Sequence, residues 1–303
     1  TLLSTNKYAE DEVKNIIKRS GLIKEAGKVI NICDQHNFKE LYECIVNAVE
    51  DYVEEDQVYK ISILNIKGLR HIDKNAILEI IRLKTGIRIY YKSNKHIRIV
   101  FSNGLTIVGI KLYALDTRSF YKRRPSIRPF FRSIAMPVDM SRALVNLSRL
   151  REGQIFLDPF LGTGSIAIEA ALIGGRVIGL DINWEMVKGA LNNMKYIGLK
   201  TPIVIGGDAT HLPIKEVDAI ATDPPYGRSA STYGVDVKKV YRGFIENAYT
   251  VLKDKRYLVL IAPDRLQDFV EKILCENGFI LKKKYPIYIH RGLTRIIYVA
   301  YKP

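Results

Sequence analysis

The chain has 303 residues, of which 47% are hydrophobic and 26% charged, and its net charge is +15. This composition is typical of a globular protein with a sizeable core. It contains neither a run of about 20 apolar residues nor a secretory leader, so we expect no membrane partner. The three cysteines, Cys33, Cys44 and Cys275, form no CxxC pair, which argues against a disulfide framework and a cysteine-type zinc site and favours a reducing cytoplasm.

The charge is concentrated in the middle of the sequence. Residues 57–135 hold 17 basic and 3 acidic residues, a net charge of +14, whereas residues 1–56 carry −5 and residues 136–303 carry +6. Such a block attracts a polyanion, because each neutralised phosphate releases counterions. A solvated basic surface without a partner is the alternative, but the concentration of charge favours nucleic acid.

The first third of the chain predicts short, alternating helices and strands of an α+β layer. Asp73 is a candidate N-cap and Gly86 a candidate C-cap, so they frame one of these helices. In chain order we predict a helix ended by Gly21, a strand over Lys28–Cys33, a helix from Leu41 to Val53, a strand over 58–66, the helix from Asp73 to about Lys84, and strands near 87–91, 97–101 and 105–112.

A basic and aromatic connector follows at residues 118–132. It holds six Arg or Lys residues, four aromatic residues, two prolines and no acid. Prolines on both sides of Ile127 discourage a regular helix, so we predict an extended segment at a domain boundary. The candidates for contact with phosphates and stacked bases are Arg118, Lys122, Arg123, Arg124, Arg128 and Arg132.

From about residue 136 the pattern changes to strands that alternate with helices. Short, nearly all-apolar strands of this kind belong to a parallel sheet covered on both faces. The last segment, 285–302, predicts an antiparallel hairpin around an RGLT turn at the sheet edge. The predicted strand cores are Ile155–Leu157, Val177–Leu180, Ile203–Ile205, Ala219–Ala221 and Leu258–Ile261.

A glycine-containing loop, DPFLGTGS at 158–165, follows the first of these strands. Glycines let the backbone approach a ligand closely, and the helix that begins there offers unpaired N–H groups. The spacing is not GxGxxG, and Asp158 would be unfavourable beside a pyrophosphate. The loop therefore favours a positively charged ligand that lacks phosphate.

The next two strands also end in carboxylates. Asp181 is placed to accept hydrogen bonds from both hydroxyls of a ribose, and Asp208 from the amine of an adenine. Each carboxylate could instead cap a helix, Asp181 the helix at 184–197, but three of them with the glycine loop favour one crevice. Trp184 has two interpretations, a wall for the adenine or an anchor for its own helix.

The fourth strand runs into TDPPYG at 222–227. Two prolines make a stiff turn with free carbonyls. An exocyclic amine on a base is a poor nucleophile, because its lone pair is delocalised into the ring. The Asp223 carboxylate and the Pro224 carbonyl can accept both amine hydrogens and localise that lone pair, while Tyr226 can stack on the base. The loop indicates amine chemistry on a nucleobase that needs no metal, and a rigid turn that only ends the strand is the alternative.

The loops DPFLGTG, GLDIN and GGDA resemble the first three motifs of the class I, Rossmann-like S-adenosylmethionine methyltransferases. The resemblance implies an α/β fold with a seven-stranded sheet whose last strand is antiparallel. It also implies S-adenosyl-L-methionine as the cofactor. The residues at the matching positions are Asp158, Pro159, Gly162, Gly164, Asp181, Ile182, Asp208 and Ala209.

The DPPY sequence resembles the signature of amino-methyltransferases that act on adenine N6, cytosine N4 or guanine N2. It implies Asp223, Pro224 and Tyr226 as catalytic residues. Carbon methylation of pyrimidines usually uses a cysteine nucleophile, and none lies near this loop in the sequence. The five histidines, His36, His71, His96, His211 and His290, show no HxxH or HxxxH spacing, so we predict no metal site.

Segments that precede these loops in the sequence resemble parts of tRNA-modifying enzymes and so narrow the family that the chain resembles. Residues 58–91 resemble the second half of a THUMP domain, an RNA-binding module of tRNA-modifying enzymes, and the units before them resemble its accompanying ferredoxin-like domain. Residues 129–150 resemble the helix that closes over the methionine end of the cofactor in N2-guanine tRNA methyltransferases. The chain is thus similar to the archaeal tRNA (guanosine-10-N2)-(di)methyltransferases, strongly over 123–227 and weakly over 1–57. We expect an abbreviated ferredoxin-like region at 1–35, a THUMP domain at 36–117, a linker at 118–135 and the methyltransferase domain at 136–303.

This family implies a cytoplasmic, monomeric enzyme that forms N2-methyl- or N2,N2-dimethylguanosine at position 10 of tRNA, with one or two methyl groups left open. One alternative is an amino-methyltransferase that acts on another tRNA or rRNA guanine, or on adenine or cytosine of DNA. The other is a non-catalytic RNA-binding protein with the same fold. Competition between tRNA and duplex DNA distinguishes the tRNA enzyme from a DNA methyltransferase. Transfer of a labelled methyl group to tRNA distinguishes it from a non-catalytic RNA-binding protein.

Overall fold

The computed structural model describes residues 9–35, 37–67, 72–199, 202–227 and 236–303. Residues 1–8, His36 and His71, which enter the predictions above, lie outside these ranges. The chain divides into two compact units. The first comprises the residues before Arg19 together with Ile23–Leu115, and the second comprises Arg19–Leu22 and Asp116–Pro303. Within the described part, no helix is both long and apolar enough to cross a membrane.

The first unit is a mixed sheet with helices. Its elements are α1 (Glu10–Arg19), β1 (Glu25–Asp34), α2 (Phe38–Glu50), β2 (Val58–Lys67), α3 (Lys74–Thr85), β3 (Arg88–Ile89), β4 (His96–Ser102) and β5 (Leu105–Ala114). The strands lie in the order β1-β5-β4-β2-β3, with β2 parallel to β3 and β4. Alternate residues of β4, such as Ile97 and Ile99, are fully buried in one core with α2 and α3.

The ends of α3 show how local sequence sets the elements of this unit. The Asp73 carboxylate accepts the backbone N–H groups of Asn75 at 2.9 Å and Ala76 at 3.0 Å. Gly86 ends the helix in the left-handed region at φ +67°, which a residue with a Cβ adopts only at a cost. Both predicted caps are confirmed.

The expected division of this unit at residue 35 is not seen in the structure. Strand β1 pairs with β5 along its whole length, from Glu25 opposite Ala114 to Asp34 opposite Leu105. Residues 25–34 therefore share one sheet with residues that the sequence assigns to the next domain. The strand predicted near 87–91 is shorter than expected, because the chain turns at Tyr91–Lys92 directly after β3.

The structure contains one disulfide that the sequence, which argued against a disulfide framework, did not predict. Cys33 on β1 and Cys44 on α2 are bonded to each other, with Cα atoms 6.0 Å apart. The pairing follows from packing, because Cys33 is buried on the face of β1 that meets α2. The two cysteines lie 11 positions apart in the sequence and form no recognisable motif that would predict the bond. Cys275 is a free, exposed thiol.

The connector is also more regular than predicted. Residues Thr117–Tyr121 form a short helix, α4, and Pro125–Ile127 form one 3₁₀ turn. Asp116 caps α4 by accepting the backbone N–H groups of Arg118 and Ser119. Pro125 is the first residue of its turn, where a missing N–H costs nothing. The prediction of an extended segment is therefore wrong for these residues.

The second unit has the seven-stranded sheet that the resemblance implies. Its remaining elements are α5 (Val138–Leu147), β6 (Ile155–Asp158), α6 (Ser165–Leu172), β7 (Arg176–Asp181), α7 (Trp184–Tyr196), β8 (Ile203–Gly206), β9 (Val217–Thr222), α8 (Val237–Val251), β10 (Leu252–Pro263), α9 (Gln267–Glu276), β11 (Ile280–His290) and β12 (Leu293–Tyr301). The strand order is β11-β12-β10-β9-β6-β7-β8. Strand β12 runs antiparallel to both neighbours, and β11 lies at the edge, so the predicted closing hairpin is confirmed.

Helices cover both faces of this sheet. In β9, Ala219 and Ala221 belong to the core with α5, α6 and α7, whereas Ile220 belongs to the core with α8 and α9. Every residue of β9 is buried. Because the carboxyl ends of parallel strands meet at one edge of such a sheet, the loops after β6, β7, β8 and β9 come together there.

Candidate active site

The loop after β6 is shaped by two glycines. Gly162 has φ +50° and Gly164 has φ +81°, both in the left-handed region. A Cβ added to Gly162 would meet no atom within 4 Å, so open space lies beside this peptide. Pro159 is buried next to Asp158, and α6 begins directly after Gly164. The loop thus presents backbone to an open space in front of a helix N-terminus.

Asp158 is a buried carboxylate with one unused oxygen. Its side chain accepts the Thr222 hydroxyl at 2.7 Å on Oδ1, whereas Oδ2 is buried and has no partner in the described part of the chain. Burial raises the pKa of Asp158 well above its usual value, and the nearby carboxylates of Asp181 and Asp223 raise it further. An unpaired buried oxygen of this kind is costly unless a ligand contacts it.

Asp181, the last residue of β7, forms a hydrogen bond with the glycine loop that follows β6. Its carboxylate accepts the N–H of Gly162 at 2.8 Å and that of Asn183 at 2.9 Å. Burial raises the pKa of Asp181. The N-cap of α7 is Asn183, which accepts the N–H of Glu185, so Asp181 is not the cap of that helix. Each Asp181 oxygen keeps a second lone pair for a ligand.

The end of β8 carries the third predicted carboxylate. Asp208 is exposed and accepts the N–H of Thr210 at 2.8 Å, and the adjacent Ala209 is buried. Ile182 and Trp184, which follow Asp181 in the sequence, are both more than half exposed. The Trp184 ring lies against the backbone of Gly206, where an added Cβ would come within 2.7 Å of the indole.

Asp223 is the first residue after β9 and lies in a small cluster of polar side chains. About a fifth of its side chain is exposed, and the Tyr226 hydroxyl donates a 2.5 Å hydrogen bond to Oδ1. Burial raises the pKa of Asp223 to about 6, although Tyr226 and Arg295 act in the opposite direction. Burial and the Asp223 charge raise the pKa of Tyr226, so its hydroxyl stays protonated. Pro224, the proposed second acceptor, is buried in the same turn.

Three residues of this cluster were not predicted. Arg295 on β12 places its guanidinium 3.8 Å from Asp223 Oδ2 and over the Tyr226 ring, 4.9 Å from the ring centre. Arg265 donates to the Tyr226 carbonyl. Thr222 connects Asp158 to the loop, since its hydroxyl oxygen also accepts the Phe160 N–H at 3.3 Å. The signals were a threonine at the end of an apolar strand and an arginine within the apolar β12 sequence.

The connector arginines divide into two environments. Arg123 and Arg128 are buried, so they are poor candidates for contact with RNA. Arg123 Nε donates to Glu169 Oε1 at 2.6 Å, and Arg142 Nε donates to Oε2 at 2.8 Å. Arg128 donates to the Arg123 carbonyl and the Ser165 hydroxyl, and burial lowers its pKa to about 10. The assignment of Arg123 and Arg128 to RNA is therefore corrected to a structural one.

The remaining connector cations are accessible. Arg118, Lys122 and Arg124 are exposed, and the Arg124 guanidinium lies over the Tyr121 ring, 4.6 Å from its centre. Arg132 is two-fifths exposed and pairs with Glu185.

Among the described residues, no group of three or more His, Cys, Asp or Glu side chains is arranged to hold a metal ion.

Comparisons with known proteins agree with this geometry. The sequence profile of a family described as RMKL-like, methyltransferase domain, matches residues 125–296. A second profile, described as DNA methylase, matches residues 6–192 and so ends before Asp223. Both profiles describe methyltransferases.

Curated relatives and solved structures extend the comparison. A tRNA (guanine(10)-N2)-dimethyltransferase of Methanothermobacter thermautotrophicus is 40% identical over 228 residues, 75% of this chain and 67% of that protein. One of Methanocaldococcus jannaschii is 32% identical over 97% of this chain and 88% of that protein. The crystal structure of TrmN from Thermus thermophilus has the same fold, with a TM-score of 0.62 at 19% identity over 99% of this chain and 88% of that one.

Proposed function

The chain belongs to the family of the tRNA (guanine(10)-N2)-dimethyltransferases, and on that premise we propose that it transfers methyl groups from S-adenosylmethionine to the N2 amine of guanine 10 in tRNA. The observation that carries the proposal is the position of Asp223. It lies in a Pro-Pro turn directly after Thr222, whose hydroxyl donates a 2.7 Å hydrogen bond to Asp158 of the glycine loop. A base amine and a cofactor could therefore meet at one edge of the sheet.

S-adenosylmethionine fits the residues at this edge. An ammonium group would give the unpaired Asp158 Oδ2 a partner, and the space beside Gly162 leaves room for the ligand against the loop backbone. Asp181 would hold the ribose hydroxyls, and Asp208 the adenine amine. When bound, the cofactor supplies a methyl group activated by a positively charged sulfur.

Asp223 and Pro224 prepare the base amine. The Asp223 carboxylate accepts one amine hydrogen and the Pro224 carbonyl the other, which localises the lone pair on N2. After the methyl group is transferred, the nitrogen carries a proton too many, and Asp223 is placed to take it. A pKa of about 6 suits this task, because the carboxylate is ionised at neutral pH yet basic enough to accept a proton.

Tyr226 orients both the carboxylate and the base. Its hydroxyl fixes Asp223 through the 2.5 Å hydrogen bond. The Tyr226 ring offers the base a surface for stacking, and the Arg295 guanidinium lies 4.9 Å from the ring centre. A hydrogen bond from Arg265 to the Tyr226 carbonyl also holds this loop.

Exposed cations supply the affinity for tRNA. Arg118, Lys122 and Arg124 of the connector can contact phosphates, and the 57–115 segment adds further positive charge. A tRNA substrate supports a cytoplasmic location for the enzyme.

The test is nucleoside mass analysis of a tRNA transcript after incubation with the chain and S-adenosylmethionine. We expect N2-methylguanosine or N2,N2-dimethylguanosine, and its loss when guanine 10 is replaced by adenine. Duplex DNA serves as the competitor, because a DNA methylase profile also matches this chain. A methylated DNA base, or tRNA methylation that survives the replacement of guanine 10, would contradict the proposal.

A further inference from the structure

Arg295 is a largely buried cation whose Nε has no hydrogen-bond partner in the described part of the chain. Its side chain is 23% exposed, and Nε is buried without a hydrogen bond. Its contact with Asp223, at 3.8 Å, is longer than a hydrogen bond. Arginine offers five N–H donors in a planar fork, and leaving the buried Nε unpaired is costly.

The surroundings of Arg295 indicate what would satisfy these donors. The guanidinium lies beside the carboxylate that accepts the base amine and against the aromatic ring on which the base stacks. A ligand that occupies this place presents an amine to Asp223 and needs a hydrogen-bond acceptor next to that amine. By contrast, the neighbouring Arg265 already donates to the Tyr226 carbonyl.

Guanine has such an edge. Its N2 amine is bonded to a carbon between N1 and N3, and N1 carries a hydrogen at neutral pH, so N3 is the acceptor beside the amine. A carboxylate and a guanidinium side by side match this donor and acceptor pair, since the first only accepts and the second only donates hydrogen bonds.

We propose that Arg295 donates a hydrogen bond to N3 of the target guanine and so positions its N2 amine against Asp223. This inference rests on the proposed function, because it assumes guanine as the methyl acceptor. It makes Arg295 a specificity-determining residue that binds the base, while Asp223 and Pro224 act on the amine itself.

The test compares two substrates on three enzymes. The substrates are tRNA with guanosine or with 3-deazaguanosine at position 10, which lacks the N3 acceptor and keeps the amine. The enzymes are the wild type, the Arg295→Met variant and, as a matched control, the Arg256→Ala variant. Methionine at position 295 keeps an aliphatic stem over Tyr226 but offers no hydrogen-bond donor. Arg256 is a similarly exposed arginine of the same unit that pairs with Asp218 instead.

We expect the wild type to lose about 10- to 100-fold in kcat/KM on the 3-deazaguanosine substrate, the range for a hydrogen bond to a charged group. Arg295→Met should lose a similar factor on guanosine but less than about threefold more on 3-deazaguanosine, because the two changes remove the same bond. Arg256→Ala should behave like the wild type on both substrates. S-adenosylmethionine affinity, measured by calorimetry, should stay within about threefold in all three enzymes.

Additive losses in Arg295→Met, or a wild type that methylates both substrates equally, would overturn the inference and leave the proposed function intact. A wild type that forms no N2-methylated guanosine on ordinary tRNA would overturn both. Should Arg295→Met fail to fold, the same two substrates are compared on Arg295→Lys. Lysine keeps a hydrogen-bond donor, so this variant should keep part of the discrimination between the two substrates.

Discussion

The strand-end loops at 158–227 and the connector at 118–132 present charged residues in different ways. In the loops, each predicted carboxylate follows the end of a strand. Asp181 accepts the N–H of Gly162 in the loop after Asp158, and Thr222, the neighbour of Asp223, donates to Asp158. The connector holds six cations in one short segment, yet two of them are buried, three are exposed and Arg132 is partly buried. Position in a regular element predicts a side chain's surroundings, whereas membership of a charged run does not.

The physical reason lies in the constraint on each backbone. Parallel strands fix where their carboxyl ends meet, so residue type at that position carries chemistry. The connector winds through a short helix and a 3₁₀ turn, and its side chains point in several directions. The fully buried Glu169 on α6 pairs with Arg123, because a buried carboxylate must be paired, and Arg128 in turn donates to the Arg123 carbonyl and to Ser165.

The largest expected effect is at Asp223. Asp223→Asn keeps the shape of the side chain but replaces an acceptor oxygen by a donor, so the amine is no longer prepared. We expect kcat to fall by about 10²- to 10⁴-fold, the range for a positioned acid or base, with cofactor affinity nearly unchanged. Transfer of a labelled methyl group to tRNA measures the rate, and calorimetry measures cofactor binding.

Asp254→Asn is the control for that variant. Asp254 is three-quarters exposed and pairs with Lys302, remote in sequence from the strand-end loops. The Asp254→Asn enzyme should transfer methyl groups to tRNA at the same rate as the wild type. An Asp223→Asn enzyme that keeps more than about a tenth of the wild-type rate, a loss below ~1.4 kcal/mol, is too active for the role assigned to this carboxylate.

The second prediction concerns Glu169. Glu169→Gln leaves the buried Arg123 and Arg142 without a carboxylate, and we expect the free energy of unfolding to fall by about 3–5 kcal/mol. Glu185→Gln removes the same charge from the exposed pair with Arg132 and should cost less than about 1 kcal/mol. Denaturant unfolding of both variants tests the difference, and equal losses would show that the connector arginines share one environment after all.

The sequence predicted most of the fold that positions the site. Strand cores, the α3 caps and the closing hairpin follow from apolar periodicity and from Asp73 and Gly86, which act locally. The disulfide and the β1–β5 pairing were not predicted, because both depend on contacts between distant segments. The same holds for Arg295, which reaches Asp223 only because β12 lies beside β10 in the sheet.

The third prediction is a pH dependence of the reaction. Burial raises the pKa of Asp223 to about 6, so the carboxylate is ionised above that pH and protonated below it. Activity needs the ionised form, and kcat/KM should therefore be constant above pH 7 and fall about tenfold per pH unit below pH 6. A profile that stays flat down to pH 5 would separate Asp223 from the chemistry, and residual activity of Asp223→Asn should show no such fall.

The smallest effect is expected in the exposed part of the connector. Arg124→Ala removes one phosphate contact, so tRNA affinity should fall a few-fold and the slope of log K against log salt by about 1. Arg242→Ala, an exposed arginine on α8 that pairs with Glu276, serves as the control and should change neither quantity. Equal behaviour of the two variants in a filter-binding titration would remove Arg124 from the RNA contacts.

The central claim is that a carboxylate and a peptide oxygen hold a base amine beside an activated methyl group at the carboxyl edge of the sheet. A crystal structure of the chain with S-adenosylmethionine tests it most directly. We predict that the methyl carbon lies within about 6 Å of an Asp223 oxygen, the separation that one intervening amine nitrogen requires. A methyl carbon more than about 10 Å away, or an Asp223 side chain turned from the ligand, would contradict the account.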